Sequence, residues 1–212
     1  MSVLDRLAGA LGRNDEQPNI ALAIELATAG DKITVAELAE AIGAKSVAVA
    51  NDAIKVLYEI GERRPALIAP HVDEFFRALK SRNNRLVWGA LSALDTLTAS
   101  RPELIGLRLP EILEAADRSS VIAKDKTVSM LATFASKSGA APAAWGLLVA
   151  MLRTSAINQT PMYAELALKA APMNDPAALA KVLNKRLGDI GQPAKRRRIE
   201  KVLRALEGPK AR

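Results

Sequence analysis

The sequence predicts an all-α chain built as a solenoid of repeated helical pairs. Three observations lead there. First, the stretch Val49 to Ala135 repeats itself at a shift of 37 residues, which superposes Ile54, Leu91 and Val128, then Leu57, Leu94 and Leu131, then Ile60, Leu97 and Phe134. Arg64-Pro65-Ala66 falls on Arg101-Pro102-Glu103 at the same shift. A fixed period of this size marks helical units that bury their apolar faces only by stacking. Second, half of the residues are hydrophobic but only 3% are aromatic, a composition that favours close helix–helix packing over strands rich in rings and β-branched residues. Third, the apolar residues recur at helical spacing, and no stretch reads as a credible strand.

Taken in order, residues 1–17 carry one short apolar stripe, Leu4, Leu7, Ala8 and Leu11, weakened by Gly9 and Gly12, and read as a flexible arm or short helix. Pro18 opens a helix to Ala29 with Ile20, Ala23, Ile24 and Ala27 inward, and Gly30 stops it. Thr34 and Glu37 form a capping box for a helix to Ile42. The next helix spans Lys45 to Gly61, with Val49, Ala53, Val56, Leu57 and Ile60 on one side.

Pro65 begins a helix to Lys80 that bends at Pro70. Its partner runs from Asn83 to Ser100. Pro102 starts a third pair, bent at Pro110, with Leu104, Ile105, Ile112 and Leu113 in the core. Ser119 and Ser120 cap a helix to Lys137, which Ser138-Gly139 breaks. Helices then follow over Pro142–Leu152 and Met162–Ala171. Asp175-Pro176 is an N-cap with proline in the first turn, opening a helix with Leu179, Val182, Leu183, Leu187 and Ile190 inward. The last helix is Ala194–Leu206. Residues 18–207 form one repeat domain of helical pairs at about 34–61, 65–100, 102–137, 142–171 and 176–207, and 208–212 are a basic tail.

Composition narrows the chemistry. With no cysteine there are no disulfides, thiol nucleophiles or Cys-bound metals, and a reducing cytoplasm is the expected location. No apolar run nears the roughly 20 residues of a membrane span. His71 is the only histidine; there is no Gly-x-Gly loop and no Gly-x-Ser-x-Gly elbow, so no catalytic, metal or cofactor site is expected. The net charge of +7 is unevenly placed: residues 181–212 hold eleven Lys and Arg against three acids, an excess of eight, which leaves the other 180 residues at −1.

The second helix of each pair resembles the HEAT repeat, the helical-pair unit of armadillo-like solenoids. That pattern places an aliphatic residue, a small one four later, and aliphatics eight and eleven later. Leu86, Ala90, Leu94 and Leu97 fit it, as do Val49, Ala53, Leu57 and Ile60; Ala123, Thr127, Leu131 and Phe134 fit less closely. Ile68-Ala69-Pro70 and Leu109-Pro110 match the aliphatic-x-Pro feature of first helices. The resemblance covers residues about 34–207 and implies a right-handed α-α superhelix. The family's inter-repeat Arg is replaced by Ala50, Val87 and Lys124, so its Asp–Arg ladder is largely absent and the repeats are degenerate.

Such folds bind along the ridge of second helices. The arc opposite the core of that ridge holds Asn51, Lys55, Tyr58, Glu59 and Glu62 in the first copy, Trp88, Ser92, Asp95 and Thr96 in the second, and Asp125, Ser129 and Thr133 in the third. These make expected rows Asn51–Trp88–Asp125, Lys55–Ser92–Ser129 and Glu59–Thr96–Thr133. Trp88 is either an exposed anchor, the residue type that dominates interfaces, or a core residue if the helix phase slips by one. Trp145 reads as core. The leading expectation is a non-enzymatic scaffold for a protein or peptide partner. Nucleic-acid binding is the alternative, through a basic patch of Lys181, Lys185, Arg186, Arg197, Arg198, Lys201 and Arg204, which otherwise is a solvated end cap. The resemblance also admits a HEAT-like alkylpurine DNA glycosylase with Trp88 and Asp125 on its wall, opposed by the neutral body.

Overall fold

The computed structural model describes residues 2–137 and 141–207, and the side chain of Ala141 lies outside that description. The expected break at Ser138-Gly139 and the tail 208–212 also lie outside it. Among the described residues every regular element is helical. They are α1 (Gln17–Ala29), α2 (Lys32–Ala41), α3 (Val47–Arg63), α4 (Pro65–Ile68), α5 (Val72–Ala78), α6 (Asn84–Thr98), α7 (Pro102–Gly106), α8 (Leu109–Asp117), α9 (Val121–Ala135), α10 (Ala141–Thr154), α11 (Thr160–Ala170), α12 (Pro176–Leu187) and α13 (Pro193–Leu206), with short 3-10 turns at Val3–Arg6, Ala69–His71 and Ala171–Met173. The chain divides into two compact units, Met1–Thr127 and Val128–Arg212, with the boundary inside α9.

In the first unit α3 packs between α1 and α6, and α2 lies against α3. The 37-residue echo is the distance between these ridge helices. Leu57 and Leu94, one period apart, are both fully buried, as is Leu131 at the start of the second unit. The approach of α3 to α6 is close enough to exclude a methyl group at two points. A Cβ on Gly89 would lie 2.8 Å from Cγ1 of Ile54, and one on Gly61 would run into Oγ1 of Thr96. Gly89→Ala is therefore expected to destabilise the fold by about 1–3 kcal/mol through overpacking. Gly146, exposed on α10, would meet nothing within 4 Å, so Gly146→Ala is expected to be neutral or to stabilise by up to about 1 kcal/mol. Urea unfolding of both variants measures the contrast.

Several local expectations need correction. Of the two readings of the opening segment, a flexible arm or a short helix, the structure has a short 3-10 turn capped by Ser2, with Val3, Leu7 and Ala8 buried. α1 turns Asn19, Leu22, Ala23, Leu26 and Ala27 inward while Ile24 faces solvent. The reason is Asn19, fully buried because its Oδ1 accepts from the Ala8 N–H and its Nδ2 donates to Asp52. α2 is capped by Asp31, which accepts from the Ile33 and Thr34 N–H groups; the Thr34 hydroxyl donates to Asp31 instead of capping. Pro70 and Pro110 do more than bend their helices. Each element divides, into α4 and α5 around a 3-10 turn and into α7 and α8, because proline removes a ladder donor and crowds the preceding turn. Leu104, Leu113 and Leu187 are half-buried, so their stripes are narrower than expected.

In place of the Asp–Arg ladder, polar side chains close helix C-termini one repeat back. Arg64 donates to the Ala27 carbonyl at 3.2 Å and Arg118 donates to the Leu79 carbonyl. In the second unit Asn174 donates to Ala135 at 2.7 Å, and Arg186 donates to the carbonyls of Arg153 and Ser155 at 3.1 and 2.6 Å. The last carbonyls of a helix have no intrahelical partner, so each contact satisfies an orphan acceptor and ties two repeats together. Arg64 needs Gly30 to do so: that residue holds the left-handed conformation that ends α1, and a Cβ there would lie 2.6 Å from the guanidinium.

Candidate partner-binding ridge

The ridge formed by α3 and α6 carries most of the residues singled out from the sequence, but it buries more of them than the helical arc implies. Every residue from Asp52 to Gly61 is buried, including Lys55, Tyr58 and Glu59. This corrects the expectation that all three line an open wall. α1 covers one flank, α6 the other, and the N-terminal segment crosses the start of α3, where the Gly9 N–H donates to Asp52 at 2.8 Å. Ser92 is buried as well, its hydroxyl donating to the Trp88 carbonyl at 2.9 Å.

Burial of these polar groups is tolerated because they satisfy one another. Lys55 Nζ lies 2.8 Å from Glu59, 3.0 Å from Glu16 and 4.7 Å from the centre of the Tyr58 ring. Glu16 also takes Arg85 at 2.7 Å, and Glu59 takes Arg63 at 2.7 Å. Burial works to lower the Lys55 pKa, but the bonds to Glu59, Tyr58 and Glu16 together outweigh it and hold the ammonium well above its ordinary range. Burial likewise works to raise the Glu59 carboxyl, and Lys55 with Arg63 overcome it, so Glu59 is held low. Burial pushes the Tyr58 hydroxyl up, against Lys55.

What the ridge leaves half-open is a narrower strip. Trp88 is half-buried, its ring resting on Tyr58 at 5.8 Å between centroids and tilted by 51°. Neither the fully exposed anchor nor the core position describes it: Tyr58 supports one side and solvent meets the other. Asn51 and Asp125 are half-buried too. The Asn51 Oδ1 accepts from Asn83 at 2.8 Å, and Asp95 faces Lys126 at 3.7 Å. Ser129 is half-buried in the second compact unit. The cations of this strip are matched by acids, which leaves no run of unpaired positive charge of the kind a phosphate backbone recruits. Among the described residues no group of His, Cys, Asp and Glu is arranged to hold a metal.

In the second unit the basic residues separate by environment. Arg198 is held by both oxygens of Glu165 at 2.7 Å, and Arg196 pairs with Glu200 at 3.3 Å. Arg186 is the carbonyl staple described above and is the least exposed of the set. Arg197, Lys201 and Arg204 stand exposed on α13. Lys181 and Lys185 line a cleft with Arg153 from α10, a residue that sequence patterning passed over because it lies alone in the last turn of an otherwise apolar helix.

No protein-family model matches the sequence, and no curated protein matches it. Solved structures do. An engineered protein aligns over 98% of this chain and 97% of its own, with TM-score 0.64 and 18% identity. A designed armadillo repeat protein in complex with the peptide (KR)4 aligns over 97% of this chain and 89% of its own, with TM-score 0.65 and 15% identity. A structure of computationally designed armadillo repeat proteins for modular peptide recognition aligns over 96% and 90%, with TM-score 0.66 and 14% identity. At these identities the likeness concerns the fold: this chain is an armadillo-like, all-α helical repeat. Among the described residues no helix is long and apolar enough to cross a membrane.

Proposed function

We propose that this chain is a non-enzymatic scaffold that holds a peptide or protein partner on the α3–α6 ridge, with Trp88 as the anchor. The observation that carries the reading is a half-exposed tryptophan braced from behind by a buried tyrosine. Such a ring offers a large apolar face at little further entropic cost, because its support already restricts it. Asn51 of α3 and Asn83 at the start of α6, hydrogen-bonded to each other, supply amide groups of the kind that meet a peptide backbone. The designed proteins of this fold that are described as binding or recognising peptides lend support of kind, not of partner.

Affinity capture from native lysate, with and without nuclease, tests the reading. Wild-type protein is expected to retain a protein partner whose capture is insensitive to nuclease. Trp88→Ala is expected to lose it, with helicity unchanged and melting lowered by only a few degrees. Trp88→Phe, which keeps a ring on Tyr58, is expected to retain part of it. Capture that survives Trp88→Ala, or that vanishes with nuclease, contradicts the proposal.

A further inference from the structure

We infer that the cleft between α10 and α12 is a second interaction surface, shaped for an acidic peptide segment that carries an aliphatic side chain. The cleft encloses about 520 Å³. Its floor is apolar, made by Val149, Ala178 and Val182, and its rim is cationic. Lys181 and Lys185 stand one helical turn apart on α12, and Arg153 reaches in from α10. All three are exposed, and none makes an ion pair among the described residues. Asp189 is the single acid on the lining, and it lies 3.6 Å from Nε of Arg186.

The arrangement is that of a small interface with an apolar centre and a charged rim. Charge complementarity calls for carboxylates, and the aliphatic floor calls for an apolar group between them. A nucleic acid fits less well on two counts. The lining holds four cations, one of them Arg186, which is committed to backbone carbonyls, and the three that remain are few beside the six to ten phosphate contacts of a typical DNA-binding surface. No aromatic side chain lines the cleft to stack a base. On α13, outside the cleft, Arg198 and Arg196 are held by Glu165 and Glu200, while Arg197, Lys201 and Arg204 stand exposed.

The surface is distinct from the α3–α6 ridge, so its test is independent of Trp88. Calorimetric titration at about 50 mM salt would use the blocked pentapeptide Glu-Glu-Leu-Glu-Glu, the same peptide with Ala for Leu, and a twelve-residue oligothymidylate. The leucine peptide is expected to bind, to weaken at least tenfold in a K181E/K185E variant, and to weaken severalfold when Leu becomes Ala. Both lysines are exposed, and unchanged circular dichroism of the variant confirms that its fold is intact. Trp88→Ala is expected to leave this binding unaltered. The inference is overturned if the leucine peptide fails to bind, if charge reversal leaves its affinity intact, or if oligothymidylate binds more tightly than the peptide.

Discussion

Lys55→Met is expected to lower the unfolding free energy by about 3 kcal/mol, although the two side chains are close in size. Removing one partner from a buried ion pair leaves the other charge without compensation, which typically costs about 3–5 kcal/mol. Here the lower end applies, because Glu59 keeps Arg63 and Glu16 keeps Arg85. The double variant K55M/E59Q is expected to recover part of the loss by neutralising the stranded carboxylate. Urea unfolding of the single and double variants gives the coupling directly.

The same cluster sets a pH dependence whose sign follows from the two shifts. Glu59 is held below its ordinary range in the folded protein. Its contribution is therefore present above the unfolded-state value, about 4.3, and is lost as pH falls through the lower folded value. Lys55 is held above its ordinary range. Its contribution is full below about 10.4 and disappears only as pH rises through the higher folded value. Stability from this cluster is thus level between about pH 5 and pH 10, and Glu59→Gln is expected to flatten the acid limb.

Leu94→Ala is expected to cost about 3–5 kcal/mol. Leu94 is fully buried in α6, whose partner α3 is itself buried from Asp52 to Gly61, so the walls of the new cavity have little freedom to collapse. Because each repeat is stable only against its neighbours, the loss is expected to spread to α3 and α5 and to lower their amide protection together. A shift in the urea midpoint with hydrogen exchange on the same sample checks both parts. A loss under 1 kcal/mol would mean that Leu94 is not sandwiched between helices.

The core was legible from the period. Leu57, Leu94 and Leu131 share one phase because the 37-residue echo and the 3.6-residue turn constrain the same side of each ridge helix. Single helices without an echo were less constrained, and α1 shows why: a buried Asn19 is polar in the sequence yet central in the packing, since its partners are the Ala8 N–H and Asp52. Periodicity scans treat such a residue as outward. The site was legible only in part for a related reason. Helical geometry tells which residues oppose the core, but not that the N-terminal segment and α1 return to cover Lys55, Tyr58 and Glu59. Their coverage depends on contacts such as Glu16 with Lys55, 39 positions apart, that leave no periodic trace. The carbonyl staples of Arg64, Arg118 and Asn174 left no periodic signal because each is one polar residue just outside a helix, and Arg186, in the last turn of α12, reads from sequence only as part of a basic patch. The recurrence of Arg64-Pro65 at Arg101-Pro102 was visible, yet Arg101 pairs locally with Glu103.

The most direct measurement of the ridge is the fluorescence of Trp88 alone. The chain has two tryptophans, so Trp145→Phe isolates it. That substitution is expected to be mild, because the indole Nε1 of Trp145 is buried with no hydrogen-bond partner among the described residues, and its removal strands none of them. Acrylamide is expected to quench Trp88 in the free protein and to quench it several times less once the captured partner saturates the ridge. Equal quenching in the free and the saturated protein would contradict Trp88 as the anchor and place the partner elsewhere on the molecule.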